Sequence, residues 1–149
     1  MPNAERHRYT ISMDTKNEFI IYTDGGARGN PGPAAWAVVL QRADQPDLEI
    51  KGFLGDTTNN IAEYTALLRA LELAQAEGGK RLIIHSDSEL MVRQMTGIYK
   101  VKHPGLLPLY QQASKLVKWF DHVTFKHVRR EMNQRADELC NEVLDGDRD

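Results

Sequence analysis

Four acidic residues in this 149-residue chain stand where a carboxylate is costly, next to apolar neighbours, and such positions suggest chemistry. Asp24 closes the strand-like run EFIIYTD (18–24) and shares a strand face with Ile20 and Tyr22. Asp87 closes RLIIHSD (81–87) and shares its face with His85 and Ile83. Read singly, each is at least as well explained as a helix cap, Asp87 before SELMV above all. Glu63 is harder to explain that way. It stands one or two helical turns from Ala66, Leu67, Ala70 and Ala74, on or beside an apolar stripe. Positions 59, 60, 66 and 67 offer it Asn, Asn, Ala and Leu, and no cation. Asp137 repeats the pattern beside Ala136, Cys140 and Leu144. Brought together at one edge of a sheet, the four would repel one another unless metal ions filled the site. Hard, all-oxygen donors suit Mg²⁺ or Mn²⁺, and a two-metal carboxylate site suits in-line attack on a phosphodiester.

Charge distribution points the same way. The formal net charge is −2, yet residues 97–130 set seven basic side chains against Asp121 alone. Such a segment is either a solvated face or a track for a polyanion, and charge does not choose between them. Placed beside an acidic metal site, it favours a metal-dependent nuclease. Apolar residues make up 41% of the chain and no run approaches the length of a membrane span, so the expectation is one globular domain with no membrane partner. The first 17 residues read as a polar tail without a secretory signal, and residues 145–149 as an acidic tail. A single cysteine, Cys140, excludes an internal disulfide and suits the reducing cytoplasm. A monomer is the default expectation.

The elements that must position these residues can be read from pattern and punctuation. EFIIYTD, AAWAVVLQ (34–41) and LEIKGFLGD (48–56) are strand-like and joined by turn residues, which predicts three antiparallel strands. A helix runs from about Asn60 to Glu77, opened by Thr57, Thr58 and Asn59 and stopped by Gly78 and Gly79. RLIIHSD is a fourth strand and DSELMVRQMTG a short helix; LLPLYQQASKLVKWF is the next helix, HVTFKHV (122–128) a fifth strand and NQRADELCNEVL (133–144) the last helix. The prediction is an α/β fold with a five-stranded mixed sheet flanked by helices. Between the first two strands lies TDGGARGNPGP, either a plain turn or a backbone built for the close approach of something large.

Four stretches also resemble the type 1 ribonuclease H family. TDGGARGNPGPAAWAVVL resembles its first strand, glycine loop and second strand, TNNIAEYTALLRAL its first helix, IIHSDSELMVRQM its fourth strand and turn, and KHVRREMNQRADELCNEV its final strand, catalytic loop and last helix. The match covers residues 18–144 in the family's order. It implies cleavage of the RNA strand of RNA–DNA hybrids by two Mg²⁺ ions, with Mn²⁺ as a possible substitute, leaving 5′-phosphate and 3′-hydroxyl ends. Asp24, Glu63, Asp87 and Asp137 match the metal-binding acids, and His127 the histidine that assists proton transfer and product release. Asn30, Asn59 and Asn60 match minor-groove positions and Thr58 a grip on a DNA phosphate, while Gly25, Gly26 and Gly29 are expected to let the backbone approach the sugars.

Two departures stand out. Glu89 occupies a substrate-binding place where many bacterial members carry glutamine; a carboxylate there can accept from a 2′-hydroxyl but repels phosphate, which would alter grip or strand preference. Between Gly97 and Leu106 the chain has only IYKVKHPG, with no room for the basic helix and loop that some members use as a handle. Lys100, Lys102, Lys115, Lys118, Arg129 and Arg130 would then supply the positive field, with weaker hybrid affinity and a steeper dependence on salt or Mn²⁺. Two rival readings share these features: a non-catalytic hybrid-binding module, and a nuclease of the same fold acting on RNA duplexes or junctions.

Overall fold

The computed structural model describes residues 16–147, so the expected polar tail lies almost entirely outside the described residues and the acidic tail partly so. Strands β1 (Glu18–Ala27), β2 (Gly32–Arg42) and β3 (Gln45–Thr57) form an antiparallel meander. Helix α1 (Asn59–Ala76) then crosses to β4 (Arg81–Ser86), which lies parallel to β1. Helices α2 (Glu89–Met95) and α3 (Leu107–Val117) precede β5 (His122–His127), parallel to β4. A 3₁₀ turn (Arg130–Asn133) leads into α4 (Gln134–Leu144). The sheet order is β3-β2-β1-β4-β5, the mixed arrangement expected from the sequence.

Helix α1 starts where Thr58 accepts a hydrogen bond from the Ile61 N–H at 3.2 Å, and it ends at Gly78 with φ +82°. Its apolar stripe carries Ala62, Ala66, Ala70 and Ala74 at four-residue spacing, all fully buried, so the helix lies close against β1 and β2. Around that contact Phe19, Ile21, Val38 and Leu40 of the sheet pack with Tyr64, Leu67 and Leu71, and with Leu82 and Ile84 of β4. Truncating one of these, Leu67→Ala for example, costs about 2–5 kcal/mol. The opposite sheet face carries a smaller cluster in which Ala35, Ala37 and Val39 meet Ala136, Leu139, Cys140 and Val143 of α4. Helices therefore cover both faces, and the ends of β1 and β4, α1 and α4 meet at one edge. No helix among the described residues is long and apolar enough to cross a membrane.

Candidate metal centre

The β1–β4 ladder ends at the pair Thr23↔Ser86, and the next residue on each strand is an aspartate. Asp24 and Asp87 thus sit side by side where the sheet opens. Glu63 reaches the same point from α1, and Asp24, Glu63 and Asp87 each offer a ligand atom within 4.8 Å of the others. Asp24 and Glu63 are buried, at 7% and 9% exposure. Burial, and then the charges of Asp87 and Asp137, push the Asp24 pKa up to about 8. Burial also raises Glu63 well above the ordinary carboxylate range, with Asp24 and Asp87 adding to the effect.

Asp137 enters from the first turn of α4, outside the close trio but lining the same cleft of about 450 Å³. Its Oδ1 lies 3.8 Å from Nη2 of Arg130, and Asn141 Nδ2 donates to its Oδ2 at 3.5 Å. The donor set fits a divalent cation. Burial, reinforced by neighbouring negative charge, favours the protonated form of Asp24 and Glu63, and Glu63 Oε1 is buried without a protein partner. A cation would replace the missing partner and reverse the pKa shifts.

The other predicted residues fall into groups. Gly25, Gly26 and Asn59 line the acidic cleft. Asn59 Oδ1 accepts from the Ala27 N–H at 2.7 Å and Asn30 Oδ1 accepts from the Asn59 N–H at 3.0 Å, which ties the β1–β2 loop to the start of α1. Thr58 is the N-cap of α1 and Asn60 is exposed in its first turn. His127 is exposed at the end of β5, paired with Ser86, and so lies one strand over from Asp87. Lys100 and Lys102 are exposed in the helix-free segment 96–106, and Arg129 is exposed before the 3₁₀ turn. Glu89 is paired with its own Arg93, whose Nε and Nη2 lie 2.9 and 2.8 Å from its Oε2.

Gly25 also serves the fold. A Cβ on it would lie 2.3 Å from the backbone carbon and oxygen of Ala62, so its missing side chain admits α1 to β1. At Gly26 the nearest atom to such a Cβ is Asn59 Oδ1 at 3.9 Å, and the space above it is open. Sequence reasoning missed Arg28 and Asn141 in the cleft wall and gave Arg130 only a diffuse role in the positive field. Asn141 carried a signal, its four-residue spacing from Asp137; Arg28 carried none.

Comparison with known proteins agrees with this geometry. Residues 22–143 match the family model described as reverse transcriptase-like. Ribonuclease H of Ruthia magnifica subsp. Calyptogena magnifica is 50% identical over 144 residues, covering 87% of this chain and 97% of that protein. A bifunctional protein of Mycobacterium tuberculosis is 43% identical over 128 residues, which span 85% of this chain but only 35% of the relative. Among solved structures, LC11-RNase H1 in complex with an RNA/DNA hybrid superposes with a TM-score of 0.80 at 47% identity, covering 85% of this chain and 96% of that one. The sheet order and the acidic strand-end cleft define a ribonuclease H-like domain. The chain belongs to the ribonuclease H family, as its motifs implied.

Proposed function

We propose that this protein is a divalent-metal-dependent endonuclease that hydrolyses the RNA strand of RNA–DNA hybrids, leaving 5′-phosphate and 3′-hydroxyl ends. The observation that carries the reading is the Asp24–Glu63–Asp87 trio with an unpartnered, buried Glu63 oxygen. Asp24, Glu63, Asp87 and Asp137 would hold two Mg²⁺ ions, or Mn²⁺ in their place, which when bound supply an activated water and charge neutralisation at the phosphate. Burial of Asp24 and Glu63 keeps bulk water from competing for their oxygens. His127, exposed beside the strand end, would exchange protons with solvent and assist product escape. Asn30, Asn59 and Asn60 stand at the start of α1 where a minor groove would pass, and the open backbone at Gly26 admits a sugar.

The segment 96–106 contains no helix, and we read this domain as one without a basic handle. Lys100, Lys102 and Arg129 would carry phosphate contacts instead, which makes hybrid affinity steeply salt-dependent. The domain is placed at residues 18–144 and is taken to act as a cytoplasmic monomer. The hybrid complex of LC11-RNase H1 supports the choice of substrate.

The test is cleavage of one labelled RNA strand presented alone, paired with DNA and paired with RNA, each with Mg²⁺, Mn²⁺ or EDTA. Cutting of the hybrid alone, only with metal, is expected. Asp24→Asn should bind hybrid and cut it at least about 10³-fold more slowly, the scale of losing metal stabilisation of the developing charge. Metal-independent cutting, or full activity in Asp24→Asn, would overturn the assignment. Binding without cleavage under every metal would favour the non-catalytic module, and equal cutting of the RNA duplex a nuclease of broader range.

A further inference from the structure

Asn133 is 1% exposed, an unusual place for an amide, and it is not used as a helix cap although it occupies the N-cap position of α4. Its Nδ2 instead donates to the carbonyl of Thr23 at 2.8 Å, across 110 residues of sequence. The other amide atom, Oδ1, is buried with no protein partner. A buried amide that is only half satisfied burdens the fold, so the bond it does make needs a reason.

Position supplies that reason. Thr23 precedes Asp24, and Asn133 lies four residues, one helical turn, before Asp137. On the far side of Asp137, Cys140 Sγ lies 3.4 Å from the carbonyl oxygen of Asp24 and donates to it. Consecutive β1 carbonyls, Thr23 and Asp24, are thus gripped by two side chains that flank Asp137, one at the N-cap of α4 and one within it. Around this grip α4 packs on the sheet through an apolar cluster of Ala35, Ala37 and Val39 with Ala136, Leu139 and Val143, which has no polar group of its own to fix register. Thr23 is itself held from the other side, its Oγ1 donating to the His85 carbonyl at 3.3 Å.

We propose that Asn133 is a positioning residue that fixes the distance between the Asp137 and Asp24 carboxylates, with Cys140 as the weaker second point of the same clamp. The proposal rests on the metal-centre reading above, and its test is read without cleavage as well as with it. Asn133→Ala removes the donor; Asn133→Leu removes it while keeping the volume filled. For both, the Mg²⁺ concentration giving half of the metal-induced Tm increase should rise about 10-fold. In hybrid cleavage, kcat should fall about 30-fold with KM within about 2-fold of wild type, since a carboxylate is misplaced and no substrate contact is lost. Cys140→Ala should shift both quantities in the same direction by a smaller factor.

A purely structural amide would lower the metal-free Tm and leave the Mg²⁺ midpoint and kcat alone, and that result would overturn the proposal. So would a change confined to KM. If Asn133→Ala fails to fold, Asn133→Leu decides by the same midpoint. Should wild type show a Mg²⁺-dependent Tm but no hybrid cleavage, the function assignment fails while the Mg²⁺ midpoints still decide the role of Asn133.

Discussion

Asp24 and Glu63 approach within 4.8 Å where β1 touches α1, and the residue at the contact is Gly25. The glycine's missing side chain sets how deep Glu63 sits and how near it comes to Asp24. A methyl at this point would meet Ala62 carbon and oxygen at 2.3 Å and the Glu63 nitrogen at 2.6 Å, all backbone atoms that no rotamer change can move. Gly25→Ala is therefore expected to push α1 outward, at a cost of about 2–3 kcal/mol measured by urea denaturation. It should also slow hybrid cleavage about 100-fold through the displaced Glu63. Near-wild-type activity in a fully folded Gly25→Ala protein would show that the trio tolerates a wider spacing.

The raised pKa of Asp24 makes a prediction for the metal-free protein. An unfolded aspartate titrates near 3.8, whereas Asp24 in the fold titrates at about 8. Between those values the folded state holds a proton that the unfolded state has released. Stability from this group is complete below the unfolded pKa and is lost as pH rises through the folded one. Glu63 is shifted in the same direction by burial and adds to the slope. Without metal, Tm at about pH 8 should lie roughly 5 °C below that at pH 5, and Mg²⁺ should recover the difference mainly at the higher pH. In Asp24→Asn the slope should flatten and the metal-free Tm at pH 8 should rise. Calorimetry across that range checks both, and an unchanged slope in Asp24→Asn would mean that the carboxylate is better solvated than its burial indicates.

Cys140 gives an independent probe of the same edge. Its thiol is 3% exposed, and burial, with Asp24 the leading nearby charge, pushes its pKa upward. Alkylation needs the thiolate and access to it, and the fold withholds both. Iodoacetamide at neutral pH should label the folded protein at least about 100-fold more slowly than the urea-unfolded chain, by mass spectrometry. Rapid labelling under native conditions would show α4 lifting from β1, and with it Asp137 leaving the cleft.

How much of this was legible in the sequence varied with the range of the interaction. Strand-end aspartates and a glutamate on an apolar helical stripe are local patterns, so Asp24, Asp87 and Glu63 were visible before any fold existed. Element order followed from the same short-range signals, Thr58 and Gly78 among them. The close contact of Gly25 with Ala62 joins residues that are far apart in the chain, and nothing near Gly25 distinguishes it from Gly26. Asn133 entered the sequence reading only as the first residue of the last helix; its partner, Thr23, is set by how α4 docks on the sheet. His85, stacked on Tyr22 at 4.4 Å between ring centres, likewise has a partner on another strand that sequence could not name. Pairing across the fold decided which acids gather closely and left Asp137 at the rim.

Glu89 carries the last prediction. The sequence suggested a carboxylate repelling the phosphate path, but the structure pairs it with Arg93, whose guanidinium also lies 5.5 Å from the Tyr99 ring. Both members of the pair are substantially exposed, so the bridge is a weak, salt-screened contact that holds a cation back from other anions. Glu89→Gln would remove the negative charge and free Arg93 at once. Hybrid KM should then fall about 2- to 3-fold at low ionic strength with kcat unchanged, and the gain should fade as salt shortens the Debye length. Steady-state cleavage at several salt concentrations measures this directly. A KM that is unchanged at low salt would place the hybrid's backbone away from α2, and Lys100 and Lys102 would then carry that side of the duplex alone.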